Sequence, residues 1–181
     1  CGGENDPDQR RARCNRCSQG GSQKPARQVQ NRWPKERVVT VFINPSLAEL
    51  YSFLRKAKTI AVVGISERED RASRYVSEYL QRAGYTIYPV NPNIDSWNRL
   101  KAYDSVSDIP APNGVDIVDV FRRSEFTLPV AEDAVTAGAE VLWFQQGIVR
   151  EQAAALAMSE GLSVVMDTCI MVTHKSMKLG I

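Results

Sequence analysis

At 181 residues with 43% apolar content, the chain has room for one globular domain with an appendage. No apolar run approaches the ~18 residues a membrane helix needs, so no membrane-spanning segment is expected. The formal net charge of +2 hides an asymmetry: residues 1–58 hold 12 Lys/Arg against 5 Asp/Glu, the remainder 11 against 16. A basic tail on a mildly acidic domain is therefore predicted.

Residues 1–37 are rich in Arg, Gln, Asn, Gly and Ser and nearly devoid of aliphatic side chains. Such a segment cannot bury enough apolar surface to offset its ordering entropy, and it is predicted to be disordered. Cys14-Asn-Arg-Cys17 has the spacing of half a zinc site or a redox pair. Tetrahedral zinc needs four ligands, and Cys1 alone does not complete the set, so no metal site is predicted. The tail arginines lack interleaved aromatics, and no specific nucleic-acid partner is expected. Cys1-Gly-Gly also resembles the mature end of a lipid-anchored protein, a weaker reading. The first methionine is Met158, so cutting, processing or another start codon is expected upstream. Only Cys169 lies in the domain, which leaves no disulfide framework and points to a reducing cytoplasm.

The domain is predicted to occupy residues 46–181. Ser46-Leu-Ala-Glu49 reads as a capping box opening a helix, with Leu47, Leu50, Tyr51 and Leu54 on one face and Lys56 and Lys58 near its end. Ile60–Val63 is apolar on both faces, as in a buried parallel strand. A helix from about Ser73 ends at Gly84, and Tyr85–Val90 forms the second strand. The stretch from Leu100 to Pro112 is irregular, with a short strand at Lys101–Tyr103. Strands then follow at Val115–Phe121, Glu140–Phe144 and Leu162–Met166, separated by helices from Pro129 to Gly138 and from Arg150 to Gly161. This alternation predicts a Rossmann-like, doubly wound α/β fold of three layers, α/β/α, around a parallel sheet.

In such sheets ligands bind beyond the carboxyl ends of the strands. After the first strand, Gly64 permits a tight turn, Ser66 offers a hydroxyl, and the helix start near Ser73 offers free N–H groups to an anion. Arg71 and Arg74 add guanidinium forks suited to phosphate. A nicotinamide site would carry G-x-G-x-x-G and an acidic residue ending the second strand. Here only Gly64 is present, and that strand ends in Pro89-Val90-Asn91-Pro92. Phe121 to Glu125, Gln145 to Gly147, and Asp167 to Cys169 supply polar groups at the same rim, but no nucleophile–base–orienter set. His174 is expected at the surface, and Asp167 as a loop cap.

The blocks VVGIS (Val62–Ser66), GYTIYPVNP (Gly84–Pro92), DIVDVFRRSE (Asp116–Glu125), Gln146-Gly147 and VVMDTCI (Val164–Ile170) resemble the bacterial CoA-binding proteins. These are small single-domain relatives of the CoA-binding domain of succinyl-CoA synthetase α-subunits. The resemblance runs from Leu47 to the C-terminus and implies a Rossmann-like fold that binds coenzyme A, or an acyl-CoA, across the carboxyl edge. It implies that Gly64, Ile65, Ser66 and Arg74 face the CoA phosphates, with Arg71 alongside. Val90, Asn91 and Pro92 would flank the nucleotide, Phe121 and Arg122 would meet the extended part of the ligand, and Gln146 and Gly147 belong to the same edge. The loop Asn93–Lys101 lacks a glycine expected in the family, and Thr168 stands where relatives often have Arg. The phosphorylated histidine of the ligases belongs to a later domain, so a non-catalytic or regulatory binding protein is expected, with an unidentified protein partner in view. The alternative is an NAD(P)-linked oxidoreductase on the same fold.

Overall fold

Ser46 opens the first helix, α1 (Leu47–Lys56), with a complete capping box. The Glu49 carboxylate accepts from the Ser46 N–H at 2.8 Å while the Ser46 hydroxyl accepts from the Glu49 N–H. The computed structural model describes residues 42–110 and 114–180; the predicted tail lies outside the described residues. In α1, Leu50 and Leu54 are buried, but Leu47 is 52% exposed, so the packed stripe begins one turn later than its spacing suggests.

The rest of the chain alternates as expected: β1 (Thr59–Val63), α2 (Ala72–Arg82), β2 (Thr86–Val90), β3 (Ser96–Trp97), β4 (Leu100–Lys101), β5 (Ile117–Val120), α3 (Thr127–Thr136), β6 (Val141–Phe144), α4 (Glu151–Ser159), β7 (Ser163–Val165) and α5 (Ile170–Leu179). Five strands form one parallel sheet in the order β2-β1-β5-β6-β7. The chain leaves β1 first toward β2 on one side and later returns to β5 on the other. The switch point of this doubly wound sheet therefore lies at the carboxyl ends of β1 and β5.

Each face of the sheet buries a separate apolar layer. Leu50, Leu54, Val76, Leu80 and Ile170 bring α1, α2 and α5 against Ile60, Val62, Ile117 and Trp143. On the other face Ala131, Ala134, Ala153, Ala154 and Ala157 let α3 and α4 pack close to Ala61, Val118 and Leu142. At the amino end of the sheet, one Asp116 carboxylate oxygen accepts from the Lys58 N–H (2.7 Å), the Thr59 N–H (2.8 Å) and the Thr59 hydroxyl (2.8 Å), pinning the register of β1 against β5. Burial works against the charge of Asp116, but these donors outweigh it and hold its carboxyl below the usual range.

Three departures from the sequence reading stand out. The loop after β2 folds into a β3–β4 hairpin without glycine; Asn98 (φ 46°) and Arg99 (φ 66°) take the two left-handed turn positions. The Asn98 amide donates to the Gln81 side chain at 2.8 Å, which helps hold that conformation. Tyr103 then covers the outer edge of β2: its N–H donates to the Pro89 carbonyl at 2.9 Å, on the side where proline lacks a donor. Finally, the C-terminal segment is a helix, and His174 on it is buried, only 3% exposed, rather than at the surface. Its Nδ1 shares a 2.8 Å hydrogen bond with the Tyr79 hydroxyl, and the rings of Tyr79 and Tyr85 meet it edge-on.

Burial, reinforced by the charge of Lys178, pushes His174 below its ordinary value, so the folded protein holds it neutral. The folded state then binds fewer protons than the unfolded chain, and the associated stability is full above about pH 6.5 and drains as the pH falls. Denaturant midpoints measured from pH 8 down to pH 5 should drop, and His174→Phe, which cannot take up a proton, should flatten that drop.

Candidate functional site

At the switch point a cavity of about 470 Å³ opens between the β1–α2 loop, the end of β2 and the end of β5. Its floor depends on Gly64, whose φ of 85° leads the chain out of β1. The Gly64 N–H donates to the Val90 carbonyl and the Phe121 N–H to the Val63 carbonyl, each at 2.9 Å, so the loop is stitched to both neighbouring strands. A β-carbon at Gly64 would lie 3.2 Å from the Phe121 carbonyl oxygen and 3.4 Å from the Arg122 side chain. Only glycine combines that backbone angle with that approach.

Asn91, immediately after β2, locks the loop from the other side. Its amide donates to the Ile65 carbonyl at 2.7 Å, and its side-chain oxygen accepts from the Asn93 N–H at 3.1 Å. With its donor and acceptor engaged in this way, Asn91 is a clamp on the loop. Helix α2 points its N-terminus at the cavity, with Ala72 and Ser73 in the lining. No side chain caps it and its first turn carries no acid, which leaves its dipole and N–H groups toward the opening.

The charge lining this space is of one sign. Arg68, Arg71, Arg122 and Arg123 all border it, and no carboxylate does. Arg68 is bound bidentately by Asp70, at 3.1 and 2.9 Å. Arg71, Arg122 and Arg123 form no ion pair among the described residues. Two residues before Phe121, Asp119 is fully buried on β5. Burial pushes its carboxyl up to about 8, opposed only partly by the 2.7 Å hydrogen bond from the Gln145 amide; its other oxygen has no partner. Asp119 therefore favours its protonated form near neutral pH.

Of the residues the sequence singles out, Gly64, Ile65, Ser66, Arg71, Asn91, Phe121 and Arg122 come together here. Arg74 does not line the cavity: it reaches the Glu78 carboxylate at 3.0 Å and the Glu67 carbonyl. Val90 is buried in the core, and Pro92 is exposed next to the cavity without lining it. Gln146 and Gly147 are exposed on the β6–α4 loop, where Asp167 caps the Gly147 N–H at 2.6 Å. Arg68, Asn93 and Phe126 are lining residues the sequence reading missed, while Arg123, placed at this rim among Phe121 to Glu125, does line the cavity. Among the described residues no His/Cys/Asp/Glu group could hold a metal ion, and His174 lies on α5, outside this cavity.

A glycine turn, an open helix N-terminus and four arginines thus frame the switch-point cavity of a Rossmann-like α/β domain. The chain belongs to the CoA-binding domain family, whose pattern it matches over residues 58–175. It is 49% identical to the uncharacterized protein YneT of Bacillus subtilis (strain 168) over 131 residues, which span 72% of this chain and 96% of that protein. A hypothetical protein from Pyrococcus horikoshii OT3 superposes with a TM-score of 0.71 at 34% identity, covering 74% of this chain and 93% of the other. The chain is also 27% identical to the 4-hydroxybutyrate–CoA ligase (ADP-forming) of Nitrosopumilus maritimus (strain SCM1) over 134 residues, but spans only 19% of that enzyme.

The buried Asp119 carboxyl, one oxygen bonded to Gln145 and the other without a partner, gives this edge a measurable pH dependence. With its folded-state value raised to about 8 against about 3.9 when unfolded, its contribution to stability is lost as the pH rises through that window. Asp119→Asn, which keeps an acceptor for Gln145, should gain stability relative to the parent as the pH is raised from 4 to 8, with the gap levelling above 8. Urea melts of both proteins across that range check it.

Proposed function

We propose that this protein binds coenzyme A or an acyl-CoA at the carboxyl edge of its sheet and holds it without converting it. The observation that carries the reading is the one-signed lining of the switch-point cavity, where three of four arginines form no ion pair among the described residues, beside an uncapped helix N-terminus. A nucleotide with phosphate groups supplies the missing negative charge. Family membership supports the choice of CoA among such nucleotides. The binding unit in this reading is residues 46–181, working in the cytoplasm, with an unidentified protein partner.

The same edge argues against the alternative of an NAD(P)-linked oxidoreductase. Where a dinucleotide site would place a carboxylate for the ribose hydroxyls, β2 is followed by Asn91, whose amide is spent on the Ile65 carbonyl. No catalytic constellation faces the cavity: its lining holds arginines, asparagines, serines and apolar groups, without a histidine, cysteine or carboxylate.

Isothermal titration with CoA, NAD and ADP separates these readings. CoA should give saturable heat and NAD little. Absence of CoA heat at millimolar ligand would refute the proposal, and tighter binding of NAD would favour the oxidoreductase. Among variants, Arg122→Ala should weaken CoA at least about tenfold, the lower end expected for a charge-assisted phosphate contact. Arg74→Ala, already paired with Glu78, should change it less than about threefold.

A further inference from the structure

A second cleft, about 710 Å³, runs along the groove between α2 and α5. That size falls within the range of small-molecule sites. Its lining joins two kinds of surface. Tyr75, Tyr79 and Met171 supply flat and flexible apolar contact, while Arg82, Lys175 and Lys178 supply positive charge and no carboxylate lines the cleft. Arg82 reaches Glu78 at 3.5 Å, but neither lysine forms an ion pair among the described residues. The Lys175 ammonium lies over the Tyr79 ring, 5.1 Å from its centre, so charge and aromatic face adjoin. The part-buried His174–Tyr79 hydrogen bond lies at the same cleft and joins the two helices there.

We propose that this α2–α5 cleft is a second binding site, for an amphiphilic organic anion: a carboxylate or sulfonate on a flat or extended apolar body. The apolar body would rest on Tyr75, Tyr79 and Met171, and the anion would meet Lys175 and Lys178. The occupant is chosen by charge. A second copy docked symmetrically would bring the same cations face to face. The site is independent of the CoA reading, since none of its lining residues borders the switch-point cavity.

The full chain is titrated with 2-naphthoate, and with the neutral isostere 2-naphthalenemethanol, while backbone amide shifts are followed by NMR. The site predicts saturable binding of naphthoate, at or below ~1 mM, with shifts at Tyr75, Tyr79 and Lys175 rather than at Gly64 or Phe121. The exposed double substitution Lys175→Gln/Lys178→Gln should weaken it at least about tenfold, and the alcohol should bind at least about tenfold more weakly than the acid. Equal affinity of the alcohol, unchanged affinity of the double variant, or shifts confined to the switch-point cavity would each overturn the assignment. So would amide shifts of α2 and α5 that grow with protein concentration without probe, which would give the cleft to a second copy.

Discussion

The closeness of Gly64 to the Phe121 carbonyl governs the switch-point site. Because no β-carbon intervenes, the chain leaving β1 turns against the end of β5, and hydrogen bonds tie it to β2 and β5 together. Every feature of the cavity is measured from that turn. It sets where Ser66 sits, how the chain enters α2, and how near Arg122 comes to the helix N-terminus. A side chain at this position would be strained by the left-handed backbone angle and would press on the Phe121 carbonyl and the Arg122 side chain, which must give by a few tenths of an ångström.

Charge then follows from geometry. Around the turn the protein gathers four arginines and leaves three of them, Arg71, Arg122 and Arg123, without an ion pair among the described residues. Asp70 is spent on Arg68, Glu78 is spent on Arg74, and burial favours the protonated form of Asp119. The result is a focused positive field in a concave, partly apolar setting, the condition under which charge-assisted hydrogen bonds to phosphate are strongest. The opposite end of the sheet shows the reverse arrangement. There Asp116 is surrounded by donors and keeps its charge, serving register and not ligand binding.

Much of this was legible in the sequence because it follows from local patterns. The capping box at Ser46, the doubly apolar strands and the glycines closing α2, α3 and α4 each carry a short-range signal, and the sheet follows from their alternation. The missing dinucleotide fingerprint was equally legible and pointed away from nicotinamide. Side-chain commitments were harder to read. Arg74 looked free for phosphate, although Glu78 one helical turn later is its natural partner, a spacing that could have reassigned it. Phe126 became a lining residue through the short 3-10 turn ahead of α3, which the chain does not announce. The hairpin at Asn98-Arg99 lacked the expected glycine, and α5 begins with Ile170, Val172 and Thr173, poor helix formers without a side-chain cap. That helix is what carries His174 into the interior, a long-range event that no local pattern encodes.

The most direct test of the account is the CoA affinity of Gly64→Ala, measured by titration on protein whose fold is first checked by circular dichroism and amide NMR. The substitution adds one methyl group and no charge. If the turn organises the phosphate cradle, the variant should retain the sheet, lose stability by about 1–2 kcal/mol from the left-handed backbone angle, and lose at least about tenfold in CoA affinity. A folded variant that binds CoA as tightly as the parent would contradict it.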